Sequence, residues 1–444
     1  MATYLSRTQS SSNQQIFTVS TWVKLGDLAN SMYINNIASD ANNRIGIFTF
    51  GNNMTFYGIN SGVDSVYLRS TALYRDPSAW YHVVVSVDTT QATASDRVKM
   101  YVNGERITAF DNEVYPTQNL NFPTNSTHYV GCFLSSNQSY NFYGVMSHYH
   151  YTDGYAYDAT AFGQTDSTSG VWTPKTAPSV TYGTNGFFLK FANSASLGTD
   201  SSGNGNNFTV NGSGTQTLDT PSNVYCTLNP LDKAIYGTAP TISNGNLTYT
   251  SSGGGVGSNN GVRSTLGASQ GKWYWEAKWV QNVTCWGMQD ADVGTKWNTN
   301  GFWFESTGSF GVSSNGDKSV DGTVTNSIFT ALSANDILGF AYDLDNSKFY
   351  LSVNGTWVTS GDPTSGATGT GALGNLTSGL TYIPVICNAS YSVSSISHLN
   401  FGNGYFGTTA ISSPNSDGAG EGKFAYTVPT GYYALNTKNL KTYG

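Results

Sequence analysis

The densest run of side chains able to hold a ligand is YHYTDGYAY, residues 149–157, where Tyr149, Tyr151, Tyr155 and Tyr157 surround Asp153. Tyrosine offers an apolar ring face for a pyranose and a polar tip for its hydroxyls, and an aspartate can fix the orientation. The same pattern also suits a strand whose tyrosines pack half against their sheet and half against a neighbouring subunit. A second candidate is DSSGNGN, residues 200–206, where Asp200, Asn204 and Asn206 gather carboxylate, amide and carbonyl oxygens on a glycine-hinged loop. Calcium takes six to eight such oxygens and accepts irregular geometry, so these three residues are the metal candidates; an ordinary hairpin loop is the competing reading. His148-x-His150 places two imidazoles on one strand with no third ligand near by, which reads as surface or core histidine. Gly267-Ala268-Ser269-Gln270-Gly271 fits a nucleophile pattern, but a strand follows it where a helix is required. Asp343-x-Asp345 and Asp290-x-Asp292 read as turn formers.

The elements that carry these residues are strands. Residues 336–357, DILGFAYDLDNSKFYLSVNGTW, show the grammar best: an apolar run, a turn at Asp343–Asn346, then Phe349, Leu351 and Val353 alternating with Tyr350, Ser352 and Asn354. A period of two divides a strand into two faces. Asn354-Gly355 tolerates positive φ at both central positions and closes a two-residue hairpin. Asn103-Gly104 repeats the device in MYVNGERI. In FTVSTWVKL, residues 17–25, Phe17, Val19, Thr21, Val23 and Leu25 share one face, with Trp22 on the other. WYHVVVSVD, residues 80–88, is the β-branched run of a central strand. In residues 272–280, Trp273, Trp275, Ala277 and Trp279 alternate with Tyr274, Glu276 and Lys278, and the tryptophans read as core.

Composition bounds what the chain can do. Charged residues are 11% of 444, aromatics 14%, and glycine numbers 50. Neutral hydroxyl and amide side chains must therefore supply the polar surface, while aromatics and β-branched residues supply burial that disordered chains lack. A net charge of -7 predicts no nucleic-acid surface. Cys132, Cys226, Cys285 and Cys387 are far apart and predict buried thiols, neither a zinc framework nor a disulfide scaffold. The N-terminus shows no apolar secretion core and no run reaches membrane length, so the expectation is synthesis in a host cytoplasm without membrane insertion.

FTVSTWVKL, WYHVVVSVDTT, DRVKMYVNGERI and the stretch from YGVMSHYHYTDGYAY to GVWTPK resemble a laminin-G-like, concanavalin-A-type jelly roll, in the version common in structural proteins of marine bacteriophages. GTNGFFLKFANSASLGTDSSGNGNNFTVNG is similar to the D-x-SGNGN block of that superfamily, and the resemblance spans most of residues 2–230. Laminin-G-like domains often hold calcium at a sandwich edge, which the resemblance adds to the case for Asp200. GKWYWEAKW, NDILGFAYDLDNSKFYLSVNG, TYIPVI, SHLNFGNGYF and FAYTVPTGYYALNTKNL, in that order, resemble a SPRY domain, implying a bent antiparallel sandwich whose loops bind partners. The expected fold is all-β: a laminin-G-like sandwich over residues 1–220, a proline-bearing linker over 221–240, and a SPRY-like sandwich over 241–444.

Glucanases of the first superfamily draw their acid and nucleophile from a Glu-x-Asp-x-(x)-Glu strand. This chain has five glutamates, Glu105, Glu113, Glu276, Glu305 and Glu421, and none begins that pattern. The expectation is thus a non-enzymatic virion surface protein, decorating the head or forming part of a tail fibre or adhesin, with a soluble lectin and a degraded glycan hydrolase as alternatives. Its expected partners are other capsid or tail proteins and a host cell-surface polysaccharide or receptor, with the chain a homo-oligomer or present in several copies in the particle.

Overall fold

The computed structural model describes residues 3–9, 11–134, 136, 140–233, 239–251, 260–282, 284–292, 307–388 and 393–444. The regular structure is nearly all strand, with little helix, and the chain divides into two compact units, Met1–Gln216 and Thr217–Gly444. The proline-bearing stretch 221–240 is therefore not a linker. Leu228–Lys233 is an edge strand of the second unit, and Tyr225, Cys226 and Leu228 are buried in it. Burying those side chains outweighs the turn-forming bias of the prolines.

The first unit stacks an eight-stranded sheet on a six-stranded one. In the smaller sheet the order runs Phe187–Leu189, Gly144–Asp153, Ile16–Leu25, Trp80–Asp88, Val98–Val102 and Glu105–Arg106. Alternation sends Phe17, Val19, Val23, Val83, Val85 and Met100 inward against Ile34, Ile45, Ile47 and Phe56 of the other sheet. Asn103-Gly104 turns at φ 51° and 89°, the left-handed pair expected of the hairpin.

The outer face of this sheet is not solvent. Trp22 is 2% exposed and stacks on His82 with ring centroids 4.6 Å apart. The Trp172 indole N–H donates to His82 Nδ1 at 2.9 Å, which leaves Nε2 to carry the proton toward Ser20 Oγ, also at 2.9 Å. Trp172 is seated between two glycines: a Cβ at Gly163 would meet its ring at 2.4 Å and one at Gly104 at 3.0 Å. His150 stacks on Phe188 at 3.9 Å and meets the Tyr182 hydroxyl at 2.8 Å. Largely irregular chain between residues 155 and 182, with the short hairpin Gly163–Thr165 and Trp172–Pro174, thus covers the sheet, and its anchor points are neutral histidines.

The second unit stacks a seven-stranded sheet on a nine-stranded one. Trp273, Trp275 and Ala277 face the core, where Trp275 lies parallel to Phe340 at 4.0 Å, and Trp279 packs at its margin. Their neighbours Tyr274 and Glu276 are equally buried on the opposite face, under a second layer built from Tyr225, Phe424, Val428 and Tyr432. Glu276 holds that layer. Its carboxylate accepts from the backbone N–H of Ala425 and Tyr426, both at 2.9 Å, from Asn400 Nδ2 at 3.2 Å and from the Tyr274 hydroxyl at 3.1 Å. Asp417 does the same for the chain end, accepting from Ala434 N, Glu421 N, Ala419 N and Asn439 Nδ2. All four cysteines are free and buried, as expected, and burial pushes the Cys132 thiol up to about 12.

Burial lowers His82 to about 3 and both His128 and His148 to about 4, against an ordinary value of 6.5. These histidines are neutral in the fold and charge when it opens. Their contribution to stability is complete above the ordinary value and is lost as pH falls from there toward 4. Calorimetry of the whole chain should show the first unit's melting temperature falling progressively through that window; an unchanged transition contradicts the assignment. Desolvation raises Glu276 to about 7, against the pull of its donors, so it costs stability as pH rises from 4.5 to that value. Glu276→Gln removes this pH dependence but turns an amide NH2 toward a backbone donor. Urea denaturation should show a loss of about 2 kcal/mol.

Candidate functional site

The strand Gly144–Asp153 carries a bulge between Ser147 and His150, with His148 at φ 48°. Beyond it, Tyr149 and Tyr151 point into the sandwich core, 1% and 0% exposed, and lie nearly parallel to Phe187 at 5.8 and 5.4 Å. Asp153 is buried as well. It accepts from Asn13 N at 2.6 Å through one oxygen, and from Asn185 N at 3.2 Å and Nδ2 at 3.0 Å through the other. These three candidates are structural, because covering the outer face left both faces of the strand dry. His150 is likewise buried and His148 half-buried, both packed against Phe188, and among the described residues no group of three ligating side chains gathers there.

Tyr155 and Tyr157 are different. Gly154, at φ 88°, ends the strand, and the two rings reach the surface 6.1 Å apart and within 15° of parallel. Tyr155 is 42% exposed and Tyr157 half-buried. Their backbone is fixed: Thr18 Oγ1 and Thr152 Oγ1 both donate to the Tyr155 carbonyl, at 2.9 and 2.8 Å, and Tyr157 N donates to Thr18 Oγ1 at 2.8 Å. The Tyr157 hydroxyl accepts from Thr181 N at 3.0 Å, and its ring stands edge-on to Phe162. Asp158 follows, capping the turn Ala159–Ala161 through Thr160 N at 2.9 Å. Burial raises the Tyr101 phenol, the half-buried outward residue of Val98–Val102, and the Asp158 charge adds to the rise. Asp158 thus adjoins the tyrosine pair, and Tyr101 lies within reach of its charge. Reading them from the sequence required knowing which side of the sheet lies nearest the 155–158 turn; only the alternation of Tyr101 with Met100 and Val102 was visible.

The 200–206 loop does not offer its oxygens to a cation. Asp200 Oδ1 accepts from Phe188 N at 2.9 Å and Ser202 N at 2.8 Å; Oδ2 accepts from Ser202 Oγ and Asn206 N, each at 2.8 Å. Asn204 and Asn206 turn their Nδ2 groups inward to the carbonyls of Gly183, Thr184 and Gly186, and Asn206 Oδ1 accepts from the Arg7 guanidinium at 2.6 Å. Calcium needs those lone pairs free, and here donors occupy them. The expectation of a metal at Asp200, Asn204 and Asn206 is corrected: they staple the loop to the Phe187–Leu189 strand.

The other acidic groups are similarly engaged. Asp343 pairs with Lys272 at 2.8 Å, Glu421 with Lys438, and Glu276 and Asp417 hold backbone donors. Glu105 and Glu113 are exposed on edge strands, and Glu305 lies outside the described residues.

With this geometry in place, comparison with known proteins adds one family. Residues 2–154 match the concanavalin A-like lectin/glucanases superfamily. No curated protein matches the sequence. Among solved structures, the SPRY domain of human HERC1 is similar at 13% identity, covering 39% of this chain and 96% of that one, with a TM-score of 0.30. A heptameric SAP-like pentraxin from Limulus polyphemus is similar at 16% identity, covering 35% of this chain and 71% of the other, TM-score 0.27. Domain 4 of the arabinanase AbnA from Geobacillus stearothermophilus, solved with arabinotriose, is similar at 21% identity over 33% of this chain and 64% of that domain, TM-score 0.25.

Asp200→Ala strips four donors of their acceptor and should cost about 2 kcal/mol in urea denaturation. Calcium or EDTA should leave the melting temperature of the unaltered protein where it is; a calcium-dependent rise would restore the metal site.

Proposed function

We propose that this chain is a non-enzymatic attachment protein that holds surface polysaccharide on the Tyr155–Tyr157 face of its first unit. The observation that carries this reading is a pair of near-parallel, partly exposed tyrosines on a backbone fixed by Thr18 and Thr152, beside the Asp158 carboxylate. Such a face stacks on pyranose rings and takes up hydroxyls without reorganising, so little ordering entropy is lost on binding. The absence of cutting rests on what the acidic side chains do. Those in the interior are consumed by backbone donors or by lysine, while hydrolysis needs two carboxyl groups free to exchange protons across one bond.

The setting proposed for it is a virion surface, as a head decoration or part of the tail adhesion apparatus. Support comes from the resemblance of its sequence blocks to structural proteins of marine bacteriophages and from a surface built of neutral hydroxyl and amide groups. In that setting it is made in the host cytoplasm, joins capsid or tail proteins in several copies, and meets host polysaccharide or receptor from the particle.

Tyr155→Ala and Tyr157→Ala, singly, should each weaken binding on a glycan array by about tenfold, with the melting temperature little changed. No reducing ends should be released from any glycan retained. Binding unaffected by both substitutions would discard the site, and sugar release would revive a hydrolase. Antibody labelling of purified particles should mark their exterior; unlabelled particles would remove the virion setting and leave the lectin.

A further inference from the structure

The second unit has a cleft of about 460 Å³ on its outer layer, between the turns that follow Thr356–Trp357 and the segment 426–430. We infer that this cleft is a second glycan site, specific for neutral sugars and independent of the tyrosine face of the first unit. Its polar and aromatic lining is Trp357, Asp362, Thr364, Tyr426, Thr427 and Thr430. Trp357 and Tyr426 are half-buried, which leaves part of each ring open, while Asp362, Thr427 and Thr430 are exposed. No lysine or arginine lines the cleft, so phosphate, sulfate and uronate ligands find no counter-charge there.

The walls are rigid before any ligand arrives. Ala425 and Tyr426 are held by their backbone N–H bonds to the buried Glu276 carboxylate. The Tyr432 hydroxyl donates to the Pro363 carbonyl at 3.0 Å and Tyr432 N to Pro429 O at 3.0 Å, tying one wall to the other. Asp362 Oδ1 caps the next turn through Thr364 N at 2.9 Å and Oγ1 at 2.6 Å. The Tyr426 ring rests on Gly355, whose φ of 79° and missing side chain leave it room; a Cβ there would stand 2.5 Å from the ring.

What remains unpaired is the recognition set. Among the described residues, none partners the Trp357 indole N–H, the Tyr426 hydroxyl or the hydroxyls of Thr427 and Thr430, and Asp362 Oδ2 also lacks a partner. Donors and acceptors thus line a space of ligand size together with two aromatic rings, the composition that suits a sugar. A peptide laid across the cleft would find little strand edge to extend, since Thr356–Trp357 is only two residues long before the chain turns.

The test uses the full chain carrying Tyr155→Ala and Tyr157→Ala, which disables the proposed first site, with maltohexaose, laminarihexaose, cellohexaose and xylohexaose as calorimetric probes. At least one neutral oligosaccharide should still bind with a single site per chain. Trp357→Ala should weaken that binding by about tenfold or more, and Asp362→Asn by less. Thr430→Trp, which fills the exposed mouth without touching the core, should abolish it at unchanged melting temperature. Loss of all binding in the Tyr155/Tyr157 background overturns the second site while leaving the first intact. Binding indifferent to Trp357→Ala and Thr430→Trp, or capture of proline-rich peptides in place of sugar, overturns it too.

Discussion

In both units, each sheet that positions a proposed site is buried on both faces. A strand such as Ile16–Leu25 has Phe17, Val19 and Val23 on one side and Trp22 on the other, and neither side can be left in water without losing the burial that holds the sandwich together. Irregular chain has to cover the outer face. That cover carries its own backbone donors and acceptors, and each one shut away from water without a partner costs more than a hydrogen bond returns. The molecule meets this demand with buried polar side chains at a few fixed points. His82 takes Trp172, His150 takes Tyr182, Asp153 takes Asn185, Glu276 takes Ala425 and Tyr426, and Asp417 takes Ala434.

That use of polar groups governs the chemistry left over. The buried imidazoles and carboxylates named above are the groups that staple the covers down, and burial keeps the histidines neutral. At the two proposed sites the exposed groups are phenols, an indole, threonine hydroxyls and turn-capping aspartates. Such groups suit neutral polyhydroxy ligands, which are held by stacking and hydrogen bonding. Single sites of this kind are modest in affinity. In the virion setting proposed above, display of several copies, each with one or two sites, raises the effective strength through simultaneous engagement.

Glycine works with this layering at a few positions. Trp172 reaches His82 because Gly163 and Gly104 present no side chain where its ring passes, and Tyr426 lies flat because Gly355 does the same in the second unit. The hairpin glycines therefore do two jobs. They supply the left-handed turn, and they open the space through which a covering aromatic docks.

Alternation and turn chemistry were legible from the residues alone. A period of two, with asparagine–glycine pairs at positive φ, specifies antiparallel strands and hairpins because it depends only on neighbours in sequence. The buried cysteines and the tryptophan face of residues 272–280 followed from the same local pattern. What alternation cannot tell is whether the second face of a sheet meets water or more protein, since the covering chain comes from far along the sequence. Tyr149, Tyr151 and Asp153 therefore looked like a site and proved to be core. Asp200 looked like a calcium ligand and proved to be a staple, and residues 221–240 looked like a linker and proved to hold an edge strand. The surface positions of Tyr155 and Tyr157 and the cleft at Trp357 and Tyr426 were decided only by tertiary packing, because exposure is a property of the assembled layers and not of the strand.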